Sequence, residues 1–151
     1  MRRFSYLALI AALIGGAVFW WVTMPKRIAP EVFAALIPDA EHGAQVFTAA
    51  GCASCHTAPG ATGEAALLLS GGQAFPSDFG TFHAPNISPD PDHGIGGWSV
   101  DDLGNAVMAG ISPNGAHYYP ALPYWSYARM APQDLVDLHA YMQTLPPSAA
   151  P

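Results

Sequence analysis

The sequence predicts an all-α protein in which a few helices and long loops follow an N-terminal transmembrane helix. An apolar run from Phe4 to Met24 is long enough to cross a bilayer as a helix. The 151 residues include 15 Gly and 15 Pro, which indicates long, defined loops between few helices. One short motif, Cys52-Ala53-Ser54-Cys55-His56, indicates what those loops could pack on.

This motif reads C-x-x-C-H, the attachment signature of a covalently bound c-type haem. From a single helical turn, the thiols of Cys52 and Cys55 would add to the two vinyl groups on one edge of the haem. His56 would then lie against the iron as the proximal ligand. We therefore predict one covalent haem c, whose apolar surface would stabilise a chain rich in loops.

Other uses of a cysteine pair are less consistent with the sequence. A zinc site needs four ligands, but this sequence has two cysteines and no pair of histidines at ligand spacing. A thioredoxin-like pair would need a βαβ context, and no such strand pattern surrounds the motif. A structural disulfide would close a loop too small to contribute much.

The charge distribution divides the chain. The formal net charge is −6, and beyond Arg27 a single basic residue, Arg129, stands against eleven carboxylates. This balance excludes nucleic acid as an expected partner. We predict an anchor or uncleaved signal at 1–24, a tether at 25–38, a haem domain at 39–147 and a tail at 148–151.

The N-terminal segment favours a membrane anchor over a cleaved signal peptide. Arg2 and Arg3 precede the apolar run and favour an N-terminus on the inner side, while Trp20 and Trp21 suit an interfacial aromatic belt. No small-x-small cleavage site follows the run. Because c-type haem is attached outside the bacterial inner membrane, we expect a single-pass protein whose haem domain faces the periplasm.

Local signals predict the first helix of the haem domain. Asp39 can cap a helix that runs toward Gly51 and delivers Cys52. Gly43 and Phe47 share one face of this helix. The stretch 58–80 shows little regular pattern, apart from one or two helical turns near 64–69.

Two further helices are predicted in the second half of the chain. Ser99 and Asp102 can cap one of them, with Met108 inside it as a packing residue. Trp98 precedes this helix and is interpreted either as core or as a donor to a haem propionate. Pro120 and Pro123 forbid a continuous helix in the aromatic loop 117–130. The last helix starts near Pro132, and its apolar stripe contains Leu135, Leu138, Tyr141, Met142 and Leu145.

Several motifs resemble class I cytochromes c. They are Pro85-Asn86-Ile87-Ser88-Pro89-Asp90, Gly94-Ile95-Gly96-Gly97-Trp98-Ser99, Tyr119-Pro120-Ala121-Leu122-Pro123-Tyr124 and Arg129-Met130-Ala131-Pro132-Gln133-Asp134-Leu135. In particular, the chain from Pro38 to Pro147 is similar to the cytochrome c domains that accompany bacterial membrane-bound dehydrogenases. Those enzymes include quinoprotein alcohol dehydrogenases and flavoprotein gluconate or sorbitol dehydrogenases. Such subunits often carry three haem motifs, whereas this sequence has one.

The resemblance implies roles for particular residues. Gly43 and Phe47 would pack against Tyr141, and the carbonyl of Pro85 would accept a hydrogen bond from His56. Met130 would be the second axial ligand of the iron. Some relatives also have Met where Leu122 stands, and ligation through His83 or His117 remains an alternative.

The resemblance implies an electron-transfer protein rather than an enzyme. A dehydrogenase would be the electron donor, and an oxidase or another cytochrome of the respiratory chain the acceptor. The alternatives are a haem-based sensor or small peroxidase-like enzyme with an open sixth iron position, and a haem-free redox or scaffold protein.

Overall fold

A computed structural model describes residues 2–150. Met1 of the predicted anchor and Pro151 of the predicted tail lie outside the described residues, as does the side chain of Arg2. The α-helices are α1 (Arg2–Thr23), α2 (Glu31–Ala34), α3 (Ala40–Ala50), α4 (Cys52–His56), α5 (Val100–Gly104), α6 (Tyr124–Tyr127) and α7 (Pro132–Met142). A 3₁₀ helix covers Gly63–Leu68, and a π-helical turn extends α5 over Asn105–Ala109. Two strands, β1 (Ala74–Ser77) and β2 (Gly80–His83), form an antiparallel hairpin.

Helix α1 stands apart from the rest of the fold. Its stretch Arg3–Thr23 has 21 residues with a mean hydropathy of 1.9, and none of the apolar window is buried inside the protein. By length and composition, this helix can cross a membrane. The same properties fit a signal sequence.

The helix that leads to the cysteine motif begins and ends where the sequence predicts. The Asp39 carboxylate accepts hydrogen bonds from the backbone N–H groups of Glu41 (2.9 Å) and His42 (3.1 Å). Gly51 ends α3 in the left-handed conformation, with φ +70°. That conformation suits glycine, because a side chain is disfavoured there.

Helices α3 and α7 cross at very close range. A Cβ atom on Gly43 would overlap the backbone carbonyl of Asp137, so only glycine fits at this crossing. One turn further along α3, the rings of Phe47 and Tyr141 pack with centroids 5.3 Å apart and planes tilted by 58°. The packing that the resemblance implies is therefore present. The apolar face of α7 forms the centre of the core, through Leu135, Leu138 and Met142.

A buried carboxylate lies at the same crossing. The Asp137 side chain is 2 % exposed and accepts hydrogen bonds from the Asp39 backbone N–H, the Gln133 amide and the His42 Nδ1–H, each at 2.8 Å. Burial by itself would raise the pKa of Asp137, but these donors outweigh it and lower that pKa. The pKa of His42 is raised, chiefly by its hydrogen bond to Asp137. No local sequence pattern predicts this pair.

The segment predicted as a tether is docked on the domain. Phe33 of α2 is 2 % exposed and belongs to the hydrophobic core. Arg27 forms an ion pair with Asp102 at 3.3 Å, and the Ile28 backbone N–H donates to the side-chain oxygen of Asn105 at 2.8 Å. These partners lie more than 70 residues away in sequence, so composition could not reveal them.

The described residues are predominantly helical, but the all-α prediction missed the hairpin. Phe75 pairs with Phe82, and Ser77 with Gly80, around a two-residue turn. Pro76 lies inside β1, and a proline is tolerated in a strand only at a sheet edge or a bulge. In a hairpin of two strands both strands are edges, which is why the proline did not prevent pairing.

The remaining helical predictions agree with the structure, except that α7 ends at Met142, so the buried Leu145 lies beyond the helix on which it was predicted. Ser99 and Asp102 form a reciprocal capping box at the start of α5. Pro132 is the first residue of α7, and the predicted turns near 64–69 are the 3₁₀ helix. Met108 lies in the π-helical turn and packs against the core.

We expect Asp137→Asn to destabilise the haem-loaded protein by about 1–3 kcal/mol, because three hydrogen-bond donors lose their charged, buried acceptor. The contribution of Asp137 should be present above its ordinary pKa of 3.8 and lost as pH falls through the lowered value. The contribution of protonated His42 to stability should be fully present below pH 6.5 and lost as pH rises through its raised pKa. The difference in the free energy of unfolding between wild type and Asp137→Asn, measured by urea unfolding, should therefore be largest between about pH 4 and 6.5.

The exposed Asp92→Asn provides the matched control, since it removes the same charge at the surface. If the free energy of unfolding differs between wild type and Asp137→Asn by the same amount at every pH, His42 and Asp137 do not form an ion pair.

Candidate haem-binding site

Helix α4 presents the cysteine motif on one turn. Because Cys52 and Cys55 are three residues apart, their thiols share one face of this helix. Cys52 is half-buried against the core, and Cys55 is exposed. Burial raises the pKa of the Cys52 thiol to about 11, so the thiol is protonated at neutral pH. The arrangement suits two thiols that act together on one edge of a ligand.

The imidazole of His56 is held by the loop predicted to support it. Its Nδ1 lies 2.9 Å from the Pro85 carbonyl oxygen, which can only accept, so Nδ1 carries the proton. The other ring nitrogen, Nε2, is then the unprotonated one and can bind a metal. Burial lowers the pKa of His56, with the hydrogen bond to Pro85 acting in the opposite direction. The neutral form is the one that ligates iron.

Gly71 allows the Pro85 loop to come this close. Its backbone N–H donates to the His56 carbonyl at 2.8 Å, and its φ is +72°. A Cβ atom on Gly71 would lie 2.5 Å from the Pro85 carbonyl carbon and would also overlap the Ala84 carbonyl. Gly71 was not among the predicted site residues. The Gly71-Gly72 pair ahead of the Pro85 loop was the signal available for it.

Met130 lies at the end of the aromatic loop, one residue before the N-cap of α7. Its side chain is half-buried against the core and lines an open cavity of about 400 Å³ together with Val46, Ala50 and Tyr127. The Tyr127 hydroxyl donates to the Ala50 carbonyl at 2.8 Å, which ties this loop to the end of α3. His56 is not part of the cavity lining, so pairing of His56 with Met130 as ligands stays a prediction.

Trp98 is half-buried and packs against the core. Its backbone carbonyl accepts a hydrogen bond from His139 Nε2 at 3.0 Å, which joins the start of α5 to α7. These contacts give Trp98 a packing role. Binding of a haem propionate by its indole remains a prediction.

Most of the competing histidines are engaged elsewhere. His93 bonds Asp90, and His117 Nε2 lies 2.9 Å from the Thr23 carbonyl at the end of α1. His42 donates a hydrogen bond to the Asp137 carboxylate, and His139 donates one to the Trp98 carbonyl. Among residues 2–150, His83 is the histidine whose ring makes no hydrogen bond; it is exposed at the end of β2.

The donor set fits a covalent haem. Cys52 and Cys55 supply two thiols on one helical face, and His56 supplies an oriented imidazole nitrogen. Met130, if its predicted role holds, would supply a soft thioether, which is a usual second axial ligand of c-type haem. Such a group would be held by residues from α4, from the Pro85 loop and from the segment before α7.

Comparison with known proteins identifies the family. The family model described as cytochrome c matches residues 40–146. The chain belongs to the cytochrome c family. A cytochrome c domain implies covalent haem c, in agreement with the prediction from Cys52 and Cys55.

Several relatives of this cytochrome are known. It is 56 % identical over 148 residues to a protein of Cereibacter sphaeroides named diheme cytochrome c-type, covering 98 % of this chain and 50 % of that one. It is 42 % identical over 107 residues to a nicotinate dehydrogenase subunit of Pseudomonas putida, covering 71 % of this chain and 9 % of that one. It is 37 % identical over 107 residues to the fructose dehydrogenase cytochrome subunit of Gluconobacter japonicus, covering 71 % of this chain and 21 % of that one.

These matches confirm the resemblance to cytochrome c domains of bacterial dehydrogenases. The chain spans about half the length of the first of these relatives and smaller fractions of the other two.

We expect Gly71→Ala to disturb the support of His56. The added methyl group would push the Pro85 carbonyl away from Nδ1, which should destabilise the protein by about 2 kcal/mol. Loss of this acceptor would make the imidazole a weaker donor, so the reduction potential should rise. Urea unfolding and a redox titration of the haem-loaded protein measure both effects.

Gly72→Ala is the matched control. Gly72 also has a positive φ, +89°, but the nearest atom to its added Cβ is Pro59 Cδ at 3.8 Å. Both variants therefore carry backbone strain on the order of 1 kcal/mol, and only Gly71→Ala adds the clash. Equal potentials in the two variants would contradict the proposed effect on His56.

Proposed function

We propose that this chain is a membrane-anchored c-type cytochrome that carries one haem and transfers single electrons from a dehydrogenase to the respiratory chain. The observation that carries the proposal is the C-x-x-C-H helix, on which the Pro85 carbonyl fixes the His56 imidazole at 2.9 Å with Nε2 unprotonated. One haem is proposed because the 151 residues contain a single such motif.

The chain's own residues would determine how that haem works. The haem supplies an iron that alternates between Fe(II) and Fe(III). Cys52 and Cys55 would hold it covalently, and the hydrogen bond to Pro85 keeps His56 oriented and raises its basicity. The soft sulfur of Met130 would favour Fe(II) and so raise the reduction potential. With both axial positions filled by side chains, substrates would be kept off the iron, as electron transfer requires.

The anchor and the location are part of this proposal. The stretch Arg3–Thr23 has the length and apolarity of a single membrane span. Arg3 is the first residue of this stretch, and a basic residue at that end favours an N-terminus on the cytoplasmic side. Covalent haem attachment takes place outside the inner membrane, so the haem domain would face the periplasm of a bacterium.

The names of the relatives support a dehydrogenase as the partner. Two of them are named as subunits of nicotinate and fructose dehydrogenases, and another, from Pantoea cypripedii, as a gluconate 2-dehydrogenase cytochrome c subunit. We propose that this chain accepts electrons from a dehydrogenase of that kind. An oxidase or a second cytochrome would take them onward.

We expect Met130→Ala to lower the reduction potential and to open the iron to carbon monoxide. The expected drop is on the order of a tenth of a volt, within the roughly 0.8 V range that axial ligands set. Visible spectra of the reduced protein with and without carbon monoxide, and a redox titration, measure the two effects.

Met108→Ala is the matched control, because Met108 is also a half-buried methionine that packs against the core. If Met130→Ala keeps the wild-type spectrum, another residue is the ligand. If the reduced wild type binds carbon monoxide rapidly, its sixth position is open, and the sensor or peroxidase hypothesis replaces electron transfer.

We expect the tagged chain, extracted from its native membranes with mild detergent, to bring down a flavoprotein or quinoprotein dehydrogenase in stoichiometric amount. Haem staining on a denaturing gel should mark the chain itself. The double variant Cys52→Ser/Cys55→Ser should lose the stain. Recovery of the chain by itself or with an oxidase would make it a carrier for the respiratory chain and contradict the dehydrogenase partner.

A further inference from the structure

The connection between α1 and the haem domain is fastened at several points. His117 Nε2 donates to the Thr23 carbonyl at the end of α1, at 2.9 Å. Arg27 donates to the Pro113 carbonyl at 3.1 Å, and the Gln133 amide to the Ile37 carbonyl at 2.8 Å. Together with the Arg27 ion pair and the buried Phe33, the contacts of Arg27 and Ile37 hold the segment after α1 on the domain, and the His117 bond links the domain to the end of α1 itself.

The C-terminal end of α1 has the features of a membrane interface. Trp20 and Trp21 are largely exposed, and the Lys26 ammonium lies 5.9 Å from the centroid of the Trp21 ring. Tryptophan and a flanking lysine are typical of the headgroup level at the end of a transmembrane helix. The hydrogen bond between Thr23 and His117 places the loop around His117 close to that level.

An aromatic surface continues from this loop. It consists of Phe75, Phe79, Phe82 and Tyr119. The rings of Phe82 and Tyr119 stack, with centroids 4.7 Å apart and planes 16° from parallel. Phe82 is the cross-strand partner of Phe75 in the hairpin. Phe79 at the turn is 83 % exposed, and Tyr119 is 53 % exposed.

The charge pattern around the aromatic surface favours lipid as its partner. Residues 110–128 contain no Asp, Glu, Lys or Arg, although the whole chain carries sixteen such residues. Asp78 is the one charged residue in the hairpin, and the headgroup region would keep it hydrated. An aromatic surface with Asp78 as its one neighbouring carboxylate suits the interface of a membrane.

We propose that the aromatic surface lies in the headgroup region of the membrane that α1 crosses. The haem domain then has two membrane contacts, α1 and the hairpin, and one orientation on the bilayer. This inference rests on the membrane anchoring proposed above, and it adds the surface with which the domain meets the lipid.

Spin labelling of the full-length, haem-loaded chain tests this inference. Because the thioether bonds consume Cys52 and Cys55, a cysteine introduced by Phe79→Cys is the one thiol available for a nitroxide label. The protein is reconstituted in vesicles of phosphatidylethanolamine and phosphatidylglycerol. The measured quantity is the ratio of collision rates with oxygen, which partitions into lipid, and with a water-soluble nickel chelate.

Two further variants serve as references. Leu13→Cys places the label at the middle of α1, where the side chain is exposed and would face lipid. Asp92→Cys places it in the exposed acidic turn 90–93, where it would face water. All three positions are at exposed side chains, and the haem spectrum shows that each variant has folded.

We expect the ratio at Phe79 to be several-fold higher than at Asp92 and to approach that at Leu13. If the label at position 79 gives the same ratio as the label at position 92, while the label at position 13 lies in lipid, this inference is wrong and the anchor still stands. A water-exposed label at Leu13 would overturn the anchor, and the second contact with it.

Discussion

The close crossing of α3 and α7 at Gly43 determines where the haem-binding residues lie. Helix α3 leads through Gly51 directly into the cysteine motif, and α7 begins two residues after Met130. Since a side chain on Gly43 would overlap the Asp137 backbone, the two helices can approach this closely only through glycine. One packing contact thus sets the relative position of both segments predicted to supply iron ligands. The hydrogen bond from Tyr127 to Ala50 reinforces it at the other end of α3.

Features encoded by a few neighbouring residues were predictable from the sequence. The Asp39 cap, the box of Ser99 and Asp102 and the start of α7 at Pro132 each depend on contacts within one helical turn. The cysteine motif is equally local, and its chemistry follows from its spacing. Contacts between distant segments, such as Phe47 with Tyr141 and His56 with Pro85, were anticipated only through the family resemblance. The family itself is confirmed, whereas the assignment of Met130 as a ligand stays a prediction.

Features that depend on distant partners were not predictable from local sequence patterns. Asp137 looks like an ordinary helical carboxylate until His42, 95 residues away, supplies its proton donor. The segment 25–38 has the composition of a tether, but Asn105 and Asp102 hold it through contacts that no local pattern reveals. The hairpin was missed for another reason. Its Pro76 argues against a strand, and its strands are too exposed to show an alternation of apolar and polar residues.

The docked segment between α1 and the haem domain has a consequence for how this chain can vary. Flexible linkers tolerate insertions and deletions, because each added residue costs little entropy. Here the backbone is held in register at Thr23, Ile28 and Ile37 by side chains of the domain. Adding one residue between two of these points would put the contacts at both of them out of register, so this segment should tolerate changes in length less well than a flexible linker does.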